Sequence, residues 1–239
     1  MEFERHEPSA GRQGAFPLTN ITIVFHSRSG NTYQLVERAA KAALDAGADV
    51  RVRKAPDLPD PMILDRDAYA ELAAATQDVP AAGLDDLVWA DAIMIGTPVH
   101  YGLPAPQIMN FIDHTGPVAI PGRLMNKAVS AFASGSMPHA GQQAAILALH
   151  NAFCHWGAVI VPNGSAAAVL HQPGNGAPYG TGTISRHQAN SVTEDNFDAI
   201  EYQTLRTLQI AGALSRGLQP EPKITMVSEE RLRTFGLDI

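Results

Sequence analysis

The chain has 239 residues, 45% hydrophobic and 17% charged, with a formal net charge of -7 and a pI near 5.7. Such a composition fills a substantial core and excludes a disordered chain, and the acidic balance with scattered basic residues excludes a nucleic-acid-binding surface. The single cysteine, Cys154, excludes an intrachain disulfide and a cysteine-based metal cluster, no apolar run reaches the roughly 18 residues of a membrane span, and the polar start has no secretory h-region, so a soluble, cytoplasmic protein without a metal site is expected.

Residues 1–18 are polar and read as an N-terminal arm. Residues 21–26 are an apolar run rich in β-branched side chains, a buried strand. Residues 32–46 follow as a helix with Leu35, Val36, Ala39, Ala40, Ala43 and Leu44 on one stripe, ended by Gly47. A short, more charged strand at 50–52 suits a sheet edge. The long, proline-rich connection 55–83 has room for one short helix near 67–75. The fully apolar strand 92–96 is expected at the sheet centre. A helix over 104–114, a strand over 128–133, a helix over 142–156 and a strand over 158–161 come next. In the second helix, Ile146, Leu149 and Phe153 face the core, and Cys154 faces partly inward as a packed thiol. A second long connection, 163–192, is rich in Gly and Pro. Ser191 and Glu194 make a capping-box signature for a last helix to about residue 216, with Phe197, Ile200, Thr204 and Leu208 inward. Residues 217–239 form a C-terminal extension with a short helix near 228–234.

Strands and helices alternate five times, which implies a parallel sheet with right-handed crossovers and helices on both faces. In such a sheet the ligand sits beyond the carboxyl ends of the strands, at the switch in strand order. Three loops are placed there: Ser27-Arg28-Ser29-Gly30-Asn31-Thr32, Thr97-Pro98-Val99-His100-Tyr101-Gly102-Leu103 and Ser134-Gly135-Ser136-Met137-Pro138-His139-Ala140-Gly141. The first joins three hydroxyls and a glycine to a helix start, where free N–H groups and the helix dipole favour an anion such as a terminal phosphate monoester. It matches neither the Walker loop nor the dinucleotide fingerprint, and the chain has no G-x-S-x-G elbow. His150 and His155 are five apart, which is not the spacing of a helical metal pair.

The order S-x-S-G-N-T, then DAIMIGTPVHYGLPAPQIMNFIDHTG, KAVSAFASGSMPHAGQQAAILALHNAFCHWGAVIVP and GAPYGTGTISRHQANSVTEDNFDAIEYQTLRTLQIA resembles the blocks of the flavodoxin-like NAD(P)H:quinone oxidoreductases of the WrbA type, over about residues 21–214. The resemblance implies a flavodoxin-like, doubly wound, five-stranded parallel sheet of order 2-1-3-4-5 spanning 19–216. It implies FMN bound without a covalent bond, NAD(P)H as co-substrate, a quinone or other small acceptor reduced by two electrons in a ping-pong scheme over one shared site, and a homo-oligomer, tetramer or dimer. Carried over by position, Ser27, Arg28, Ser29, Gly30, Asn31 and Thr32 cradle the FMN phosphate. Thr97, Pro98, Val99, His100, Tyr101 and Gly102 lie along the flavin ring. Ser134, Gly135, Ser136 and Gly141 contact it from the third loop, and Trp156 stands where the family has a flavin-site histidine. His100, Tyr101 and His139 are candidates for substrate or nicotinamide contact. The family's R-F-G is His100-Tyr101-Gly102 here, and its pocket tryptophan is missing after Gly116, so the acceptor pocket is expected to differ in shape. Competing readings are an NAD(P)H-dependent FMN reductase that hands reduced flavin to a partner and a flavodoxin-type electron carrier.

Overall fold

The computed structural model describes residues 19–59, 63, 65–218, 227–234 and 236. The expected arm, 1–18, and much of the extension, 217–239, lie outside the described residues.

Strands β1 (Asn20–Phe25), β2 (Asp49–Lys54), β3 (Ala92–His100), β5 (Ala128–Gly135) and β6 (Val159–Ile160) are parallel neighbours in the order β2-β1-β3-β5-β6. This is the predicted 2-1-3-4-5 winding. The sheet has seven strands rather than five, because β4 (Leu103–Pro104) folds back antiparallel on β3 and β7 (Gly182–Ile184) pairs with β5. Both additions are too short to show periodicity, so the sequence pattern does not report them.

Alternation along the strands divides the core in two. Ile21, Ile23, Phe25, Ala92, Met94 and Phe132 pack on one face against α1 (Asn31–Asp45) and α7 (Glu194–Gly217). Val24, Ile93, Ile95, Val129, Ala131 and Ala133 pack on the other against α3 (Leu84–Trp89), α4 (Pro106–Asp113), the single turn α5 (Gly116–Ala119) and α6 (Gln142–His155). The expected inward stripes of α1, α6 and α7 are buried, except that Leu44 is 47% exposed and Phe197 is half-buried. Cys154 is exposed rather than packed, because the core arc of α6 is filled by Ile146, Leu149 and Phe153.

The 55–83 connection holds α2 (Arg66–Ala75), whose N-cap Asp65 accepts from Ala68 N at 3.0 Å. The unforeseen six-residue α3 rests on Asp86, which accepts from Gly83 N and pairs with Arg51 and Arg53 of β2 at 3.1 and 3.0 Å. Between the β6 and β7 pairings, the carbonyl of Ala131 accepts from Gln203 Nε2 at 2.9 Å, while Gln203 Oε1 accepts from Thr181 N at 2.7 Å. A side-chain amide of α7 thus continues the ladder where β5 lacks a neighbour.

His150, on α6 beside Phe153, is pushed by burial below its ordinary 6.5. Burial favours the neutral ring, so its contribution to stability is present above the unfolded-state value and is lost as pH falls through and below about 6.5. The melting temperature of His150→Leu is therefore expected to fall less steeply than wild type between pH 7.5 and 5.5. An unchanged slope would assign the acid response to other groups.

Candidate functional site

The three predicted loops leave the carboxyl ends of β1, β3 and β5 and meet there. His26 N donates to Gly96 O at 3.1 Å, tying the first loop to the second. The would-be Cβ of Gly96 lies 3.2 Å from the Thr32 methyl and 2.5 Å from the Phe132 ring, so both side chains pack onto the bare backbone of Gly96. Gly141, with φ +96, packs against Gly102: a Cβ there would stand 2.7 Å from Gly102 Cα. The second and third loops are thus in backbone contact.

In the first loop, Gly30 is the N-cap of α1 at φ 83, and no side chain caps the helix. The first intrahelical donor is Gln34 N, bonded to Gly30 O at 2.8 Å; the N–H groups of Asn31, Thr32 and Tyr33 precede it and keep the orphan character of a helix start. Ser27 is 7% exposed, and its Oγ is buried without a hydrogen-bond partner among the described residues. A buried hydroxyl with no partner is costly. Together with an uncapped helix, it fits an anionic group bearing several oxygens.

The loop's other side chains divide in role. Asn31 points away from solvent, and its carboxamide is spent within the chain: Nδ2 donates to Gln188 O at 2.8 Å, and Oδ1 accepts from Ser191 N at 2.8 Å and Ser191 Oγ at 3.0 Å. Ser191 therefore caps no helix. The N-cap of α7 is Thr193, without a side-chain cap bond, and the expected Ser191–Glu194 box is replaced by this tie to the first loop. Arg28 and Ser29 are half-buried.

The second loop is a hairpin. Val99 pairs with Pro104 and His100 with Leu103. Tyr101 and Gly102 turn between them with φ 54 and 80, the two positive values of a type I′ turn. The helix expected from residue 104 begins at Pro106 instead. Thr97 is fully buried, and its hydroxyl accepts from Ala105 N and donates to Pro98 O, both at 2.9 Å. It braces the hairpin. Tyr101 is fully exposed at the tip, and Pro98, Val99 and His100 are half-buried.

In the third loop Ser134 and Gly135 are buried, Ser136 and Gly141 are half-buried, and His139 is exposed. Gln142 Nε2 donates to Met137 O at 2.8 Å and fixes the bend. His139 borders a cavity of about 470 Å³ that also takes in Gln142, Tyr179, Gly182 and Ile184; no residue of the first two loops lines it.

Trp156 does not join this cluster within the chain. It follows α6, whose start carries the third loop, and lies beside the chain entering β5 at the amino edge, where Asn126 N donates to Gly157 O at 3.0 Å. Its ring is 3% exposed, and its Nε1 donates to Thr115 Oγ1 at 3.0 Å. One edge faces an open cleft of about 360 Å³ shared with Ile112, Gly116, Ala119, Ile120 and His155. Fourteen helical residues, about 21 Å, separate it from the loops.

Sequence reading missed the segment 185–191. Ser185 N donates to Gly135 O at 2.8 Å and Asn190 N to Ser29 O at 3.3 Å, so the segment bridges the third loop and the first. The segment lies in the Gly/Pro-rich connection 163–192, and nothing in its composition says where it returns. Among the described residues there is no group of His, Cys, Asp or Glu arranged to hold a metal, and no helix is long and apolar enough to cross a membrane.

A 2-1-3-4-5 sheet with an anion-ready first loop and two further loops converging on it defines a flavodoxin-like protein. Solved structures agree on the fold: a flavodoxin, WrbA-like protein from Agrobacterium tumefaciens aligns over 84% of this chain and 99% of its own with a TM-score of 0.50 at 18% identity, and RosB aligns over 83% and 81% with a TM-score of 0.56 at 12% identity. The chain belongs to the NADPH-dependent FMN reductase family, whose model matches residues 21–172. Among curated relatives, the NAD(P)H dehydrogenase (quinone) of Deinococcus radiodurans is 34% identical over 81% of this chain and 96% of its own, and that of Geobacter sulfurreducens is 32% identical over 82% and 99%.

Proposed function

We propose that the chain is an FMN-dependent NAD(P)H:quinone oxidoreductase. The observation that carries this is the first loop: an uncapped helix start beside the unpartnered Ser27 hydroxyl, in a chain whose near-full-length relatives bear the name NAD(P)H dehydrogenase (quinone). Those relatives align beyond residue 172, where the family model stops, which favours the quinone reading over a flavin-supplying reductase.

In this reading the N–H groups of Asn31, Thr32 and Tyr33 and the Ser27 hydroxyl hold the flavin phosphate, and Asn31 acts through its backbone. The hairpin 99–104 and residues 134–141 hold the ring plane, with Thr97 bracing rather than touching it. Bound FMN supplies two-electron exchange between a nicotinamide and a quinone that use one site in turn. Tyr101 offers a ring for stacking on either partner. His100, on the hairpin beside it, exchanges a proton with the acceptor in this reading, and solvent serves equally. His139 contacts whatever enters the cavity beside the third loop. The unit 19–216 works in the cytoplasm as a homo-oligomer. Tyr101, Leu103 and Met137 are 101%, 58% and 56% exposed beside the site, apolar area suited to cover by another copy. Trp156 reaches a flavin only in that case, from a neighbouring subunit.

The test is an absorbance spectrum of the FMN-restored protein before and after anaerobic NADH or NADPH. Bleaching of bound flavin within seconds, reversed by a quinone, is expected. Bound flavin that stays oxidised would favour the carrier, weak retention with turnover only in excess free FMN the flavin-supplying reductase, and no bound flavin would end the reading.

A further inference from the structure

Segment 185–191 is tied to the first loop at four points, three of them through the Asn31 carboxamide and one through Asn190 N to Ser29 O. The single Ser191 Oγ proton is shared with Ser185 O, at 2.9 Å, which closes the segment on itself. Arg186, His187 and Asn190 hold φ of 49, 60 and 48, values that non-glycine residues keep only where their surroundings over-determine them. The result of this arrangement is one side-chain placement. The Asn190 carboxamide lies over Gly30, the N-cap of α1, so close that a Cβ on Gly30 would stand 2.1 Å from Asn190 Oδ1 and 3.1 Å from its Cγ. Asn190 is exposed, and among the described residues its carboxamide has no hydrogen-bond partner.

An unpaired amide therefore covers the glycine from which the uncapped helix departs, next to the loop that carries the unpaired Ser27 hydroxyl. A carboxamide presents either its oxygen or its NH2 at one place by rotation about χ2. Beside an anion the NH2 is the favoured end, and a hydrogen bond to a charged oxygen is the stronger kind.

We propose that Asn190 is a further ligand of the terminal phosphate monoester of FMN, and that Asn31 is the positioning residue that holds it over the phosphate loop. The inference rests on the flavin reading above. It assigns a task to the return of the long 163–192 connection: the segment supplies the phosphate site with a wall that the first loop lacks. The ligand chemistry is the phosphate alone, so the effect must appear with FMN and vanish with riboflavin, which shares the ring and lacks the phosphate.

The experiment is a fluorescence titration of flavin-stripped, full-length protein with FMN and, separately, with riboflavin. Asn190→Gly keeps the left-handed backbone free of strain and removes the amide; its FMN Kd is expected to rise about tenfold, the scale of one hydrogen bond to a charged group, with riboflavin unchanged. Asn190→Asp keeps shape and backbone preference but sets a carboxylate against the phosphate; a rise of about a hundredfold is expected for FMN, shrinking with added salt. Asn31→Ala is expected to lower the FMN-over-riboflavin preference, and adding Asn190→Gly to it should cost no more, because both act through one contact. Equal weakening of both flavins in Asn190→Gly, or an unchanged preference in both Asn190 variants, overturns the proposal and leaves the flavin reading standing. Full additivity of the two sites overturns the role of Asn31. Wild-type protein with no preference for FMN over riboflavin overturns the phosphate reading itself, and this inference with it.

Discussion

Gly141→Ala is expected to raise the FMN Kd a hundredfold or more. Two independent faults combine. The backbone at residue 141 has φ +96, a conformation closed to alanine without strain. The new Cβ would meet Gly102 at Cα, N and C, at 2.7, 3.5 and 3.7 Å. All three are backbone atoms of a two-residue turn, so no side chain can swing aside. The hairpin and the third loop must separate, and the ring slot they define opens with them. Global stability should fall by only about 1–3 kcal/mol, the usual cost of overpacking, because the clash lies above the sheet. Gly217→Ala is the control: its Cβ meets nothing within 4 Å at the end of α7, and it should leave flavin affinity unchanged. Titration and thermal melting of both variants check this. A Gly141→Ala protein that binds FMN normally would show that the two loops do not grip the ring together.

The second large effect is on stability. Trp156→Ala is expected to cost about 3–5 kcal/mol, the range for emptying a large buried aromatic, and to lower the melting temperature by about 10 °C in a chain of this size. The indole is 3% exposed, packs on Phe153 with ring centroids 5.3 Å apart and donates to Thr115 at 3.0 Å. Its loss leaves a cavity and removes the bond that Thr115 Oγ1 accepts, while that hydroxyl still donates to Ile112 O at 2.7 Å. Flavin affinity of the folded variant should match wild type if the residue is only core. A flavin spectrum or KM altered well beyond the loss of stability would instead put Trp156 against a flavin, at the position where the resembled family has a flavin-site histidine.

Trp156 marks where sequence reading reached its limit. The five main strands, their order and the helices α1, α6 and α7 were legible because each carries a long apolar period: β3 is apolar over Ala92–Ile95, and α6 repeats Ile146, Leu149, Phe153. The three loops were legible because the winding of the sheet fixes which strand ends face the ligand. The same winding carries the end of α6 to the edge opposite the loop that starts it, so a motif match by position groups Trp156 with residues a helix length away. The six-residue α3 depends on Asp86 and two arginines from another strand, and no local pattern announces it. The β3–β4 hairpin hid behind Tyr101, a residue that hairpin turns rarely admit at positive φ. Ser191 carries a genuine capping signature, but its backbone N–H and hydroxyl turn to Asn31, 160 residues earlier, and the helix starts two residues later at the Thr193 cap. Segment 185–191 was invisible for the same reason: its order comes from partners far away in the chain.

That separation bears on how the protein is made. Asn31 of the first loop leaves the ribosome before its partner Ser191, which follows 160 residues later. At roughly 5–20 residues per second, the interval is on the order of ten to thirty seconds. Throughout it, β1 and α1 can pair and pack while the first loop stands open on one side. A nascent chain should therefore acquire its sheet before it can retain a flavin. Capture of the cofactor is then timed by the arrival of the 185–191 segment rather than by that of the first loop.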